Sequence, residues 1–440
     1  MAAELGSFTV KENREVKNDK TITLSFVRFK RTGSKPGSPI VYLAGGPGGS
    51  GVDAAKGPRF ELFMALREFG DVIAFEQRGT GLSNSLPPCD LAKPFPADKP
   101  GTFATVLAAI QQNQKACFDF WRAKDVDLNG YNILQNADDL EDLRKVLGVP
   151  RITLWGISFG TQLAFTFVNR HPQSVDKLIM AALEAPGDNI KYPHEVQDLL
   201  IQVSRQLQQN PETNKHYPDL LGLMKRVFDK LEAKPATVQL KNRDNSTKDV
   251  GISKFDVQLV ASFLLLKNPV DLMKLPLLFK KMDDGDFVDM ARLVDALKKV
   301  ASSTTGMSIT TDLMTGVDSE RMKLVEKEAP NALLGRTTNF PFPDMAAGLN
   351  LPDIGSNARK LQRSTLPGLF FSATLDGRTF LESAAKIVAQ YPNVQHVIIE
   401  NAGHDMFEIS PKVQDLIVRY MRGEKVEKRI VLDPVKFLLP

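Results

Sequence analysis

Short apolar runs alternate with amphipathic stretches over the first 185 residues or so of this chain. Five apolar runs predict β-strands, at Thr21–Arg28, Pro39–Leu43, Asp71–Phe75, Ile152–Trp155 and Lys177–Leu183. Residues Ala137–Leu147 place leucines and a valine on one helical face, and Gly148 and Pro150 end that helix. Phe159–Arg170 predicts another helix. Strands separated by helices predict a parallel sheet with helices on both faces.

Helical periodicity dominates from about residue 189. Five helices are predicted, at His194–Leu207, Tyr217–Leu231, Lys254–Leu266, Val270–Met282 and Asp286–Ala301, with a hairpin at Thr237–Ile252 between the second and the third. The earlier pattern then resumes, at Pro367–Thr374, Phe380–Gln390, Val394–Glu400 and Lys412–Met421. The chain is therefore predicted to have an α/β core in two parts, 1–188 and 350–440, with a mostly helical cap insertion at 189–349.

Composition and charge exclude several classes of protein. The 440 residues are 42% hydrophobic and 25% charged, which is typical of a globular protein. The net charge of +4 is small and no long basic run concentrates it, so no nucleic-acid partner is expected. The apolar stretch Leu259–Leu266 is too short to span a bilayer, and no transmembrane segment is predicted. The N-terminus lacks the basic start and apolar run of a signal peptide, as would a chain from which a signal had been removed.

The two cysteines, Cys89 and Cys117, allow two interpretations. They could be unrelated buried thiols, or a disulfide that ties a surface loop to the next helix. A disulfide would imply an oxidising compartment.

The sequence Gly156-Ile157-Ser158-Phe159-Gly160 follows a predicted strand and opens a predicted helix. A sharp turn at this place needs small residues and lifts the serine hydroxyl above the sheet. The helix N-terminus also favours developing negative charge. Ser158 is therefore the candidate nucleophile, and the alternative is a buried serine in an ordinary strand-to-helix turn.

Five of the seven residues in Gly45–Gly51 are glycine, and this segment follows the predicted strand Pro39–Leu43. Such a loop could cradle a phosphate, but no Gly-Lys-Ser/Thr follows it and the G-x-G-x-x-G spacing is not met cleanly. A flexible turn is the other simple interpretation. We favour an oxyanion loop, in which the amides of Gly46 and Phe159 bind the oxygen of a tetrahedral intermediate.

A nucleophilic serine needs a nearby base, and the chain has five histidines. His404 follows a predicted strand, at the sheet edge where ligands bind in such folds. Asp376 follows the preceding strand and would orient the imidazole. The order Ser158, Asp376, His404 is the one expected for a hydrolase of this fold. Asp405 is the rival acid, and no HExxH or paired Cys/His spacing indicates a metal site.

Together these segments resemble the proline iminopeptidase and tripeptidyl aminopeptidase family of α/β hydrolases. The matching segments are the glycine loop, Glu76-Gln77-Arg78-Gly79-Thr80-Gly81-Leu82-Ser83, Ala137-Asp138-Asp139-Leu140-Glu141-Asp142-Leu143-Arg144, the serine turn, and the loops of Asp376 and His404. Glu76 replaces the usual Asp. Ala44 stands where the iminopeptidase branch has His, which favours the tripeptidyl aminopeptidase branch, many of whose members are exported. The resemblance implies an α/β-hydrolase fold with a mostly parallel central sheet and a helical cap, and no cofactor.

The resemblance further implies release of N-terminal residues or short peptides from substrates with a free amine. An acid should then face the substrate's ammonium, and Glu184 at the end of Lys177–Leu183 is the candidate, with a structural salt bridge as the alternative. A carboxylesterase with the same triad is the second hypothesis. A non-catalytic ligand-binding protein is the third, and the presence of all three triad residues argues against it. A secreted or periplasmic location is expected over a cytoplasmic one.

Overall fold

A nine-stranded sheet forms the centre of the molecule. The computed structural model describes residues 3–35, 37–83, 86–241, 244–300 and 306–440. The strands in these ranges are β1 Glu4–Lys11, β2 Thr21–Phe29, β3 Ile40–Leu43, β4 Val72–Phe75, β5 Ile152–Ile157, β6 Val175–Ala181, β7 Ala236–Lys241, β8 Thr247–Ile252, β9 Gly368–Ala373, β10 Val394–Glu400 and β11 Arg429–Val431. The sheet order is β1-β2-β4-β3-β5-β6-β9-β10-β11. Strand β2 is antiparallel to both neighbours and the pairs from β4 to β11 are parallel.

Helices connect the strands and build the insertion. Those in the described ranges are α1 Gly51–Lys56, α2 Phe60–Leu66, α3 Phe103–Ala123, α4 Ile133–Val146, α5 Phe159–Arg170, α6 Pro193–Gln209, α7 Pro211–His216, α8 Leu220–Ala233, α9 Lys254–Val260, α10 Pro269–Leu272, α11 Leu275–Asp283, α12 Val288–Val300, α13 Gly306–Thr315, α14 Ser319–Glu328, α15 Ser356–Arg359, α16 Leu381–Val388 and α17 Pro411–Met421. None of them is both long enough and apolar enough to cross a membrane.

Both faces of the sheet are covered, which explains why its central strands are continuous apolar runs. In β3, Val41 and Leu43 pack with α4 and α5 on one face. Ile40 and Tyr42 pack with α1, α2 and α17 on the other face. All residues of β3, β4 and β5 are buried. The predicted α/β fold class with a mostly parallel sheet is confirmed.

The insertion has a hydrophobic cluster of its own. Residues of α6, α8, α9, α11 and α12 form it together with the antiparallel pair β7–β8. Leu375, Phe380 and Phe437, from the C-terminal part of the chain, also belong to this cluster. The cap therefore packs continuously onto the core, and the boundaries proposed at 188/189 and 349/350 stay predictions.

The structure corrects several predicted elements. Strands β1 and β11 and helix α3 were not predicted. The pattern of apolar residues did not indicate α3 because two of its buried residues, Asn113 and Gln114, are polar. The helix predicted at Val270–Met282 is two helices, because Pro276 in the first turn of α11 suits a helix start and not a helix interior. Ala301, the predicted end of another helix, lies outside the described residues.

Candidate active site

Ser158 lies at the sharp turn between β5 and α5. Its backbone has φ 55° and ψ −128°, a conformation that non-glycine residues seldom adopt and that concentrates at functional sites. The turn is held by the Ser158 amide, which donates to the Ala181 carbonyl at 3.1 Å, and by the Thr161 amide, which donates to the Ser158 carbonyl at 2.7 Å. A Cβ atom at Gly160 would lie 2.1 Å from the Leu43 carbonyl oxygen, so this position requires glycine. Ser158 lines a large cavity.

Asp376 and His404 lie on neighbouring loops because β9 and β10 are adjacent parallel strands. His404 Nδ1 is 3.1 Å and 3.0 Å from the two carboxylate oxygens of Asp376. Asp376 Oδ1 also accepts hydrogen bonds from the amides of Arg378 and Thr379, at 2.7 and 3.0 Å. Burial opposes ionisation of Asp376, but His404 and the hydrogen bonds of Thr379 outweigh it and lower the pKa of this carboxyl. A proton on His404 Nδ1 is therefore directed to Asp376, which leaves Nε2 as the proton acceptor of the ring.

Asp405, the rival acid, has other partners. Its carboxylate accepts a hydrogen bond from Asn268 Nδ2 at 2.7 Å and lies 3.0 Å from Lys267 Nζ. Burial opposes ionisation, but Lys267, Asn268 and His404 together lower the pKa of Asp405. The hydrogen-bond acceptor for His404 Nδ1 is Asp376, the residue that the sequence favoured.

The other four histidines lie outside the residues that line the cavity in the described part of the chain. His171 Nε2 lies 2.8 Å from Asp138, His194 Nδ1 lies 2.9 Å from Glu328, and His396 Nε2 lies 3.0 Å from Ser372 Oγ. His216 is on α7, with its ring centroid 6.2 Å from that of Tyr217.

The glycine loop lies against the serine turn. A Cβ atom at Gly45 would come within 3.2 Å of Ser158 Cβ, so a side chain at this position would crowd the serine. Gly46 has φ 125° and lines the same cavity. Phe159 is the first residue of α5, where the amide has no intrahelical partner. The structure thus brings the segment of Gly46 to the helix start of Phe159.

Glu76 holds the glycine loop in place, a role that sequence reasoning missed. The buried carboxylate accepts hydrogen bonds from Ser50 Oγ at 2.6 Å, the Gly51 amide at 3.2 Å and the Val52 amide at 3.3 Å. Gln77 Nε2 donates to the Ala44 carbonyl at 3.0 Å. The side chains of this motif therefore support the loop from behind.

Arg78 and Asp139 connect two of the sequence segments that carried the resemblance. Their side chains are fully buried, with Arg78 Nε 2.6 Å and Arg78 Nη2 2.7 Å from the carboxylate oxygens of Asp139. Arg78 Nη1 also donates to the Glu12 carbonyl at 2.6 Å. This pair fastens the segment after β4 to helix α4.

The cavity above Ser158 has a volume of about 690 Å³. Residues of the core and of the cap both line it, so the cap covers the serine. The apolar lining residues include Val106, Ile110, Leu259, Phe263, Leu297, Ile309, Phe340, Phe342 and Met345. No group of three His, Cys, Asp or Glu side chains is placed to hold a metal ion in the part of the chain that the structure describes.

Four charged side chains line this cavity as a group, which we call the charged cluster: Glu184, Lys191, Asp312 and Arg378. Glu184 lies three residues beyond the end of β6, not at the strand end as predicted. Its carboxylate forms a buried ion pair with Lys191. The Thr161 hydroxyl lies 2.8 Å from the Ser158 carbonyl oxygen and accepts a hydrogen bond from the Glu184 amide at 2.9 Å, which ties the cluster to the serine turn.

Sequence reasoning missed Lys191, Asp312 and Arg378. Arg378 could have been noticed, because it is two residues from the predicted triad acid. Asp312 lies on α13 in the cap, and nothing in its sequence neighbourhood indicates that it reaches the site.

Comparison with known proteins agrees with this architecture. Residues 38–249 match the family defined by the α/β hydrolase fold. That stretch of the chain has the α/β hydrolase fold. The glycine loop, the Ser158 turn and Glu184 all lie inside the matched range.

Three named relatives are serine or amino-terminal peptidases. Identity is 30% over 178 residues with the serine protease Hip1 of Mycobacterium tuberculosis, 28% over 185 residues with a tripeptidyl aminopeptidase of Streptomyces coelicolor, and 26% over 166 residues with a proline iminopeptidase of Arabidopsis thaliana. These matches cover 38, 39 and 38% of this chain. The chain spans about a third of the length of those relatives, namely 34, 34 and 32%. The similarity agrees with the resemblance found in the sequence motifs.

Proposed function

We propose that this protein is a serine hydrolase in which Ser158 is the nucleophile, His404 the general base and Asp376 the orienting acid. The observation that carries the proposal is the pairing of His404 Nδ1 with both oxygens of Asp376 at the cavity that Ser158 lines. An imidazole held in this way can take a proton on Nε2 while the carboxylate stabilises the imidazolium.

The proposed reaction passes through an acyl-enzyme. Ser158 Oγ attacks the substrate carbonyl carbon as His404 takes the hydroxyl proton, and the amides of Gly46 and Phe159 bind the resulting oxyanion. The tetrahedral intermediate collapses, the bond to the leaving group breaks, and the leaving group receives the proton from His404. Water then attacks the acyl-enzyme with His404 as base again, which releases the acid and regenerates Ser158.

For the substrate, we propose peptides from which N-terminal residues or short peptides are removed. The names of the tripeptidyl aminopeptidase and proline iminopeptidase relatives support this choice. The carboxylate of Glu184, at the cavity, is the candidate to face a substrate ammonium. Glu184 is already ion-paired with Lys191, so an ammonium would have to share that carboxylate.

A carboxylesterase is the second candidate, and the cavity lining favours it. Most of the cap residues at the cavity are apolar, including Phe263, Ile309 and Phe340. The ion pair with Lys191 also gives Glu184 the structural role that was its alternative from sequence. Such a lining would accept an acyl chain, and the triad cleaves esters by the same steps.

A comparison of two substrate series distinguishes these candidates. The first is aminoacyl and tripeptidyl anilides with free and acetylated N-termini, and the second is p-nitrophenyl esters of increasing acyl length. A kcat/KM preference for free-amine anilides, lost in Glu184→Gln, supports the peptidase. Efficient ester cleavage with negligible anilide turnover makes the protein an esterase.

Ser158→Ala is the control for both series. This variant should fold and should lose on the order of 10⁴-fold or more in kcat, since little catalysis survives without the nucleophile. Turnover at the wild-type rate would disprove the assignment of the nucleophile.

We also propose that the protein works in an oxidising compartment outside the cytoplasm. The support is a disulfide between Cys89 and Cys117, whose Cα atoms are 5.7 Å apart, since such bonds persist in oxidising environments. Alkylation of free thiols in cells of the source organism, followed by intact-mass measurement, tests this. Two alkylated cysteines in the native protein would contradict it.

A further inference from the structure

The charged cluster contains two acidic and two basic side chains. Lys191 Nζ pairs with the Glu184 carboxylate and also donates to the Asp188 carbonyl at 2.6 Å. Glu184 and Lys191 therefore cancel one another, and both are mostly buried, with side chains 9% exposed. The charge that this cluster presents to the cavity then depends on the other two members, Asp312 and Arg378.

The carboxyl of Asp312 is less acidic than that of an ordinary aspartate. Burial, and after it the negative charge of Glu184, raise the pKa of Asp312 well above its ordinary value. A protonated Asp312 can donate a hydrogen bond into the cavity.

Arg378 lies beside the triad. Its amide donates to Asp376 Oδ1 at 2.7 Å, and its guanidinium carbon lies 4.9 Å from the ring centroid of Phe263, a cap residue that also lines the cavity. Arg378 Nη1 is buried and makes no hydrogen bond to any residue that the structure describes. A buried cation whose donors are unmatched costs free energy unless a ligand supplies the acceptor.

We propose that Arg378 is a specificity-determining residue that binds a carboxylate of the substrate close to the scissile carbonyl. A guanidinium matches a carboxylate with two parallel hydrogen bonds, and the face of Phe263 fixes the plane of the fork. The carboxylate would arrive next to Asp312, whose protonated form can donate to it, while the Glu184–Lys191 pair stays intact. This inference rests on the proposed hydrolase function, and it names acidic acyl or leaving groups as the preferred substrate class.

The test uses matched substrate pairs that differ by a carboxylate against a carboxamide. The first pair is glutamyl and glutaminyl anilide. The second pair is the mono-p-nitrophenyl esters of adipate and adipamate. The third pair is two dipeptide amides whose leaving groups differ by a carboxylate against a carboxamide. We expect wild-type kcat/KM to favour the carboxylate member at least about tenfold in one or more pairs, the range for a charge-assisted hydrogen bond in a buried site. Arg378→Gln should lower kcat/KM for the carboxylate member at least about tenfold more than for the carboxamide member, so that the preference is lost.

Two further variants serve as controls for charge and geometry. Arg363→Gln removes an exposed arginine that is not among the described residues lining the cavity, and it should keep the preference. Arg378→Lys keeps the charge but loses the fork, and should retain only part of the preference.

The possible failures are distinguishable. Wild-type turnover in Ser158→Ala would remove the proposed function itself. Active wild-type enzyme without a carboxylate preference in any pair would overturn the inference alone. Equal losses on both members of a pair in Arg378→Gln would also overturn it, because Arg378 would then act through the Asp376 loop.

A binding measurement covers the case in which Arg378→Gln fails to fold. Calorimetry on Ser158→Ala should give a lower Kd for adipate than for adipamide, and Arg378→Lys should reduce that difference. Equal Kd values for the two compounds would overturn the inference without the glutamine variant.

Discussion

Two aspartates near His404 have different partners, and these partners give each aspartate its role. Asp376 reaches the imidazole from the neighbouring loop, whereas Asp405, next to the histidine in sequence, is turned toward Lys267 and Asn268. Adjacent residues on an extended loop rarely bring their side chains together, and residues on neighbouring parallel strands do so easily. The position of an acid on the sheet therefore matters more than its distance in sequence.

Exchange of each carboxylate for an amide tests this assignment. Asp376→Asn should lower kcat on the order of 10⁴-fold, because an amide can donate to Nδ1 and then favours the wrong tautomer of the ring. Asp405→Asn should keep kcat within about tenfold of wild type. The measurement is kcat on the best substrate of either series, with melting temperatures to show that both variants fold. The opposite ranking would make Asp405 the orienting acid.

Residues of the site were predictable where strand order alone brings them together. The two loops of Asp376 and His404 follow adjacent strands, and a strand-to-helix turn displays Ser158, so the motifs sufficed to choose these candidates. Asp312 and Arg378 differ, because a cap helix brings the first to the cavity and the stacking on Phe263 orients the second. The packing of the cap depends on contacts between side chains that are distant in sequence. A local sequence pattern does not predict such contacts.

At the scale of elements, the glycine loop depends on a carboxylate from a different strand. Glu76 follows β4 and binds the Ser50 hydroxyl and the amides of Gly51 and Val52 at the start of α1. Negative charge at a helix N-terminus is favourable, and a glycine-rich segment has little stiffness of its own. The hydrogen bonds of Glu76 thus fix the loop that carries Gly46.

Glu76→Gln should therefore weaken catalysis more than its distance from the reaction suggests. One acceptor oxygen becomes a donor that faces backbone amides, so we expect kcat to fall roughly 10- to 100-fold, in line with the loss of about 1.5–3 kcal/mol for a hydrogen bond to a charged group. Glu76→Asp keeps the charge and should lose less. Kinetics with both variants, beside their melting temperatures, decide the matter. A lower melting temperature with unchanged kcat would limit Glu76 to stability.

Elements were predictable where one face or both faces are uniformly apolar. The predicted helix Phe159–Arg170 has the bounds of α5, and the strand prediction at Thr21–Arg28 differs from β2 by one residue. Strand β1 was missed because only Phe8 and Val10 are buried in its eight residues, as expected at a sheet edge. The pattern of apolar residues in a sequence indicates which residues are buried. It therefore fails to predict a strand or helix that is only partly buried.

At the scale of the whole molecule, one histidine joins the cap to the core. His194 in α6 lies with Nδ1 2.9 Å from Glu328 of α14 and with Nε2 3.3 Å from Glu382 of α16. Helix α16 follows the Asp376 loop directly, so this contact links the cap to the segment that carries the triad acid. Partial burial opposes the charge on His194, but the two carboxylates outweigh it and raise the pKa of His194 above 6.5.

The raised pKa of His194 predicts that the attachment of the cap depends on pH. A folded-state pKa above the unfolded value adds stability that is fully present below pH 6.5 and is lost as pH rises through the folded pKa. Relative to His194→Gln, the wild type should therefore have its largest melting-temperature advantage near pH 6 and a smaller one near pH 8.5. Lys386, 2.9 Å from Glu382, keeps its charge throughout this range, so the histidine is the group of this contact that titrates. His216→Gln serves as the control and should follow the wild-type profile. An advantage over His194→Gln that stays constant from pH 6 to 8.5 would show that His194 does not change charge in this window.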